Sequence, residues 1–113
     1  MGQEIIHLKD AAIRTFLKTA KRNRFAEVAF FKRTLNFAVQ WGGMEPRDIA
    51  DRLGLAASTV IQWKEGKGPV PGIFMRQAVC HEIVSVLTES VEKGLSVKEV
   101  LDNKNKFEYR EGQ

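Results

Sequence analysis

The chain has 113 residues, 43 % of them apolar, with 18 Lys and Arg against 14 Asp and Glu for a formal charge of +4. That length fits one domain with a core of its own, and the single cysteine, Cys80, excludes an intramolecular disulfide framework. No apolar run approaches the eighteen or so residues of a membrane span and residues 1–30 lack a signal-peptide pattern, so a cytoplasmic protein without membrane association is expected.

The charge is unevenly spread. Residues 1–40 carry eight Lys or Arg against three acids, 41–77 five against four, and 78–113 five against seven. An N-terminal positive excess suits a polyanionic partner and equally suits a solvated helix face.

Apolar residues recur at helical spacing almost throughout, and no stretch alternates as a strand would. Ile13, Phe16, Leu17 and Ala20 make the first stripe. The basic group Lys18, Lys21, Arg22 and Arg24 reads either as an exposed face or as a phosphate-binding surface, so residues 1–24 are expected to be a basic N-terminal helix or arm. A domain over residues 25–103 follows. Its first stripe is Phe25, Val28, Phe31, Leu35 and Ala38, stopped at Trp41-Gly42-Gly43 because paired glycines suit a helix end. Phe30, Phe31 and Phe37 read as core or dimer surface, and Trp41 and Trp63 as core anchors.

Pro46 belongs in the first turn of a short helix, where its missing N–H costs nothing, and Ile49, Ala50 and Leu53 give that helix an apolar face. Gly54-Leu55-Ala56 links it to a second short helix that ends at Gly66. A link of this length has to turn sharply. Gly54 supplies a positive φ without the roughly 1–2 kcal/mol that a Cβ would cost, and Ala50 leaves room for the helices to cross closely. Leu53, Leu55, Val60 and Trp63 are then expected to face inward.

After the loop Gly68-Pro69-Val70-Pro71, Pro71 is expected to start the longest helix, with Phe74, Ala78, Ile83, Val84, Leu87 and Val91 buried in part and Cys80 as packing. Lys93-Gly94 ends it. Ser96 and Glu99 form a capping box, with Leu95 and Val100 placed for a hydrophobic staple, and the last helix runs to about Asn103. Residues 104–113 read as a flexible tail.

Residues 46–65, PRDIADRLGLAASTVIQWKE, resemble the helix-turn-helix of phage repressor and Cro-like proteins, the group that includes the bacterial xenobiotic-response-element-type regulators. The resemblance lies in Ala50, Gly54, Val60 and Trp63 at their spacing, and in the run STVIQWKEGKGPVP, which is similar to the signature S-T-[IV]-x-x-W-E-x-G-x-x-x-P. It implies an all-α, lambda-repressor-like domain of about five helices with an extra N-terminal helix. It also implies that the second motif helix is a recognition helix for the major groove of double-stranded DNA. On that reading Ala57, Ser58, Thr59, Ile61 and Gln62 contact bases, Gln62 by pairing its amide with adenine N6 and N7. Arg47, Lys64 and Lys67 contact phosphates. The chain departs from the pattern in having Ala56 where the family often has Ser or Thr, Pro46 where it often has Gln, and no arginine on the recognition helix.

The expected function is therefore sequence-specific DNA binding, by a bacterial or phage transcriptional regulator that acts by occupying an operator. The alternative is a protein-interaction module on the same fold, such as an antirepressor or polymerase adaptor. No cofactor is expected. His7 and His81 stand without partners at metal-ligand spacing, no phosphate loop follows a strand, and no Ser/His/Asp or Cys/His set is complete, so catalysis is not expected. A homodimer is expected, because Ile13, Phe16 and Leu17, and separately Leu87, Val91, Leu95 and Val97, look like apolar surface beyond what the core needs. The second of these stripes is the favoured seam.

Overall fold

The computed structural model describes the backbone of residues 2–22 and 27–102, with side chains from Asp10 onward. Expectations for the His7 side chain, Arg24, Phe25, Asn103 and the tail 104–113 lie outside the described residues. Within them the chain is all-helical, with no strand. The helices are α1 (Gly2–Ala20), α2 (Val28–Gln40), α3 (Pro46–Leu53), α4 (Ala57–Glu65), α5 (Ile73–Lys93) and a short α6 over residues 97–102. None of these is long and apolar enough to cross a membrane.

α5 is the spine. Its buried residues Val79, Cys80, Ile83, Val86, Leu87 and Ser90 recur at helical spacing, and α1, α2 and α3 all pack against it. α2 contributes Phe30, Phe31, Thr34, Leu35 and Ala38. α1 folds back onto the same core through Ile13 and Phe16; the Phe16 ring stacks on Phe37 with centroids 4.4 Å apart and lies 6.1 Å from Phe30. At the chain's other end the expected capping box is formed: Glu99 N–H donates to Ser96 Oγ at 3.1 Å and Ser96 N–H to Glu99 Oε1 at 3.2 Å. It starts α6, which buries Val97, Val100 and Leu101.

These two packings correct the expectation of surplus apolar surface. Ile13, Phe16, Leu87 and Val97 are buried within the chain, and Leu17, Val91 and Leu95 are half-buried against the same core. The late stripe is covered from inside the chain, so it is not available as a dimer seam.

Three further readings change. α5 begins at Ile73, because Gly72, in extended geometry, is the residue before its first turn; Pro71 stays in the loop, its carbonyl accepting from Arg76 Nη1 at 2.8 Å. Phe74 is 84 % exposed, since the buried stripe of α5 starts only at Val79. Trp41 is 46 % exposed: the α2 end turns at this point, and Gly42 goes inward instead. A Cβ on Gly42 would sit 2.7 Å from Ala38 O and 3.2 Å from Leu87 Cδ2, so this glycine serves close approach to α5.

Cys80 is packing, as expected. Burial pushes its thiol up to about 11 from 9.0, against smaller lowering influences from the Thr34 hydroxyl and the Arg76 guanidinium. Thr34, fully buried, makes no hydrogen bond of ordinary geometry. A thiol whose folded value is raised leaves stability intact below the unfolded value and erodes it as pH climbs toward the folded one. The Cys80 contribution should therefore fall by about 2–3 kcal/mol between pH 9 and 11. Denaturant unfolding of the native chain and Cys80→Ala across that window checks this: the two stability curves should converge, and parallel curves would contradict a desolvated thiol.

Candidate nucleic-acid interface

α3 and α4 pack on one another more extensively than any other pair of helices. The link between them is Gly54-Leu55-Ala56, as the spacing implies. Gly54 has φ 68° and ψ 32°, and both its N–H and that of Leu55 donate to Ala50 O, the latter at 2.9 Å. A Cβ at Gly54 would meet nothing within 4 Å, so the glycine is there for its backbone angle and not for space. Ala50 and Val60, at the crossing, are fully buried, and Leu53 and Leu55 are half-buried against the core. Trp63 meets Phe31 of α2 edge to face, centroids 5.8 Å apart, which ties α4 to a third helix.

With Val60 and Trp63 turned inward, Ser58, Ile61, Gln62 and Glu65 form the exposed stripe of α4. Their i, i+3, i+4, i+7 spacing puts them on one face. Among the residues expected to reach bases, Ser58, Ile61 and Gln62 are on this face. Ala57 packs against the core and Thr59 is half-buried, because both sit beside the Val60 side of the helix. Among the expected phosphate contacts Arg47 and Lys67 are exposed, and Lys64 is half-buried. Lys67 Nζ lies 3.4 Å from Glu65 Oε2, a solvent-exposed pair of little energetic weight.

The two helix starts differ in charge. At α3, Glu45 N–H donates to Asp48 Oδ2 at 2.8 Å, so two carboxylates and a proline occupy the end that would otherwise favour an anion. At α4, no side chain caps the helix at Ala56 and no acid lies in the first turn. The free amides of that turn, next to Ser58, are the ones open to an acceptor from outside.

One positioning residue was not singled out from the sequence. Arg52, in the last turn of α3, has a buried side chain whose Nε is 3.4 Å from Glu82 Oε1 on α5. The pair fastens the two-helix unit to the spine. Its only sequence signal is the three-residue offset from Ile49, which brings Arg52 to the edge of the buried face.

Comparison with known proteins adds no relative to this geometry: no protein-family model, curated protein or solved structure matches the chain.

Two substitutions test the local account. Gly54→Ala should cost about 1–2 kcal/mol and Gly54→Val more, with Gly54→Asn the mildest because asparagine tolerates this backbone region. Ala56→Ser should stabilise by about 1 kcal/mol, since Ala56 already has the extended geometry of a capping residue (φ −77°, ψ 141°). Thermal melts of the set check both; an unchanged midpoint for Gly54→Val would contradict the turn.

Proposed function

We propose that this chain binds double-stranded DNA through the α3–α4 unit, with the exposed stripe of α4 in the major groove, and that it regulates transcription by occupying a specific site. The observation that carries the reading is the α3–α4 unit: two short helices, a three-residue turn at a left-handed glycine, and a second helix anchored on one side and bare on the other. The uncapped start is not what sets α4 apart, since α2 and α5 also begin without a side-chain cap or an acid in the first turn; the outward face left unused by the core is. A helix that has to bring its first turns against base edges needs such a face. The arrangement agrees with what the phage repressor-like resemblance implies, and that agreement supports reading the fold as one of this class.

Within the interface, Gln62 is the base reader, its amide offering one donor and one acceptor to adenine. Ser58 contacts a base edge or a phosphate near the helix start, and Ile61 packs against a thymine methyl. Arg47 and Lys67 fix the register through phosphates. The exposed basic residues Lys18, Lys21 and Arg22 at the end of α1 add to the positive field that draws the chain toward DNA.

The interaction-module reading is favoured by one feature, the 40 % exposure of Ile61 on a stripe that holds no arginine. Retention on heparin and on genomic DNA at low salt separates the two readings.

In-vitro selection of bound DNA, followed by two substitutions, tests the proposal. Gln62→Ala should cost roughly 1–3 kcal/mol on the selected site and little on random DNA. Lys67→Ala should weaken both alike and flatten the salt dependence by about one unit. Equal losses from Gln62→Ala on both DNAs would remove Gln62 from base reading, and no enrichment in the selection would refute specific binding.

A further inference from the structure

The exposed stripe of α4 is distinguished by what it lacks as well as by what it holds. Ser58, Ile61, Gln62 and Glu65 face solvent and none of them is a cation. Lys64 is half-buried to one side, and Lys67 lies beyond the helix with its Nζ 3.4 Å from Glu65 Oε2. Guanine presents two acceptors to the major groove, O6 and N7, and this stripe has no donor fork to meet them. Ile61, 40 % exposed, is the one large apolar side chain of α4 left to solvent. Consecutive helix residues point about 100° apart, so Ile61 and Gln62 stand on the two flanks of the line from Ser58 to Glu65. A branched aliphatic chain and an amide are thus set side by side, each able to meet a different base edge. The apolar feature of the major groove is the C5 methyl group, which thymine carries and unmodified cytosine lacks.

We propose that α4 responds to base methylation in opposite senses at two base pairs: a C5 methyl group facing Ile61 strengthens binding, and an N6 methyl group on the adenine facing Gln62 weakens it. The proposal rests on the DNA-binding reading. At adenine, the Gln62 amide oxygen accepts the N6–H that points into the groove, while its NH2 donates to N7. An N6-methylated adenine keeps a single N6–H, and the Watson–Crick pair takes it. The methyl group then stands in the groove where the amide oxygen has to sit. That oxygen loses its donor and meets carbon instead, so a desolvated acceptor is left unsatisfied. At Ile61 the sign reverses. Closing its side chain over a C5 methyl group removes apolar area from water on both partners, whereas over uracil or plain cytosine it leaves a gap. Thymine and 5-methylcytosine carry that methyl group at the same place, so the contact treats them alike. With no cation on the stripe to hold the helix to the bases by charge, these two contacts carry the discrimination.

Duplexes of the selected site are synthesised with uracil in place of each thymine in turn, or with N6-methyladenine in place of each adenine, and titrated with the full-length chain by fluorescence anisotropy. One thymine should respond to uracil with a loss of about fourfold, and one adenine to N6 methylation with a loss of tenfold or more. Exchanging the responsive thymine's pair for cytosine and guanine, and then methylating that cytosine at C5, should recover about fourfold. Two exposed substitutions assign the effects to their side chains. Ile61→Ala should bind the thymine and uracil duplexes alike and keep the native response to N6 methylation. Gln62→Ala should bind the methylated and unmethylated adenine duplexes alike and keep the native response to uracil. A thermal melt of each variant establishes that its fold is intact. A selected site indifferent to either modification would overturn the proposal while leaving DNA binding in place, and so would responses that survive both substitutions. Failure to select any site would remove the DNA-binding reading and this proposal with it.

Discussion

The position of α4 depends on its crossing with α3. A nine-residue helix is too short to persist alone in water, and α4 has a single fully buried side chain, Val60. What holds it is the contact with α3, made close by Ala50 and turned by Gly54, and the edge contact of Trp63 with Phe31. Because the anchoring is confined to one side, the rest of the α4 surface is free to be chemistry rather than core. A longer or more deeply buried helix would be more stable and would have less to present.

That unit is in turn hung on α5. α3 reaches the spine through its apolar face and through the Arg52–Glu82 pair, in which a guanidinium is mostly removed from water while the carboxylate stays partly wet. A pair of this kind adds little net stability compared with an apolar contact of the same volume, but breaking it leaves a buried charge without a counter-ion. It therefore works against alternative placements of α3 more than it favours folding as such. The helix ends carry a second bias. Glu45 and Asp48 crowd the start of α3 with negative charge, while the start of α4 has no acid in its first turn. Of these two helix starts, only that of α4 has backbone amides electrostatically fit to hold an acceptor themselves; at the α3 start the cation available is the exposed Arg47 side chain.

The features that were legible in the sequence are the ones decided locally. The Gly54 turn, the Ser96–Glu99 capping box and the inward set Ala50, Val60 and Trp63 each depend on a few neighbouring residues, and each was found where the spacing put it. What was misjudged depends on where distant elements stop. Leu87, Val91, Leu95 and Val97 form a true apolar stripe, but periodicity does not say what covers a stripe, and here α6 and the rest of the core do. Phe74 fits the same periodic pattern and is bare, because the buried stripe of α5 starts only at Val79. Trp41 is exposed because the turn beside it needs its interior space for Gly42. For the candidate site, the outward positions Ser58, Ile61 and Gln62 followed from helical geometry, whereas Ala57 and Thr59 required knowing how the helix is rotated on the core.

On the proposed function, the chemistry of the α4 stripe limits what one copy can read. A stripe of Ser58, Ile61 and Gln62 has no guanidinium to read guanine bidentately, so one copy would gain its selectivity from a single amide and a methyl contact. Phosphate contacts from Arg47, Lys67 and the basic end of α1 add affinity without adding selectivity. A weak reader held mainly by phosphates would spread over any duplex, so the stripe sets the ratio of specific to random affinity and the basic residues set the affinity itself.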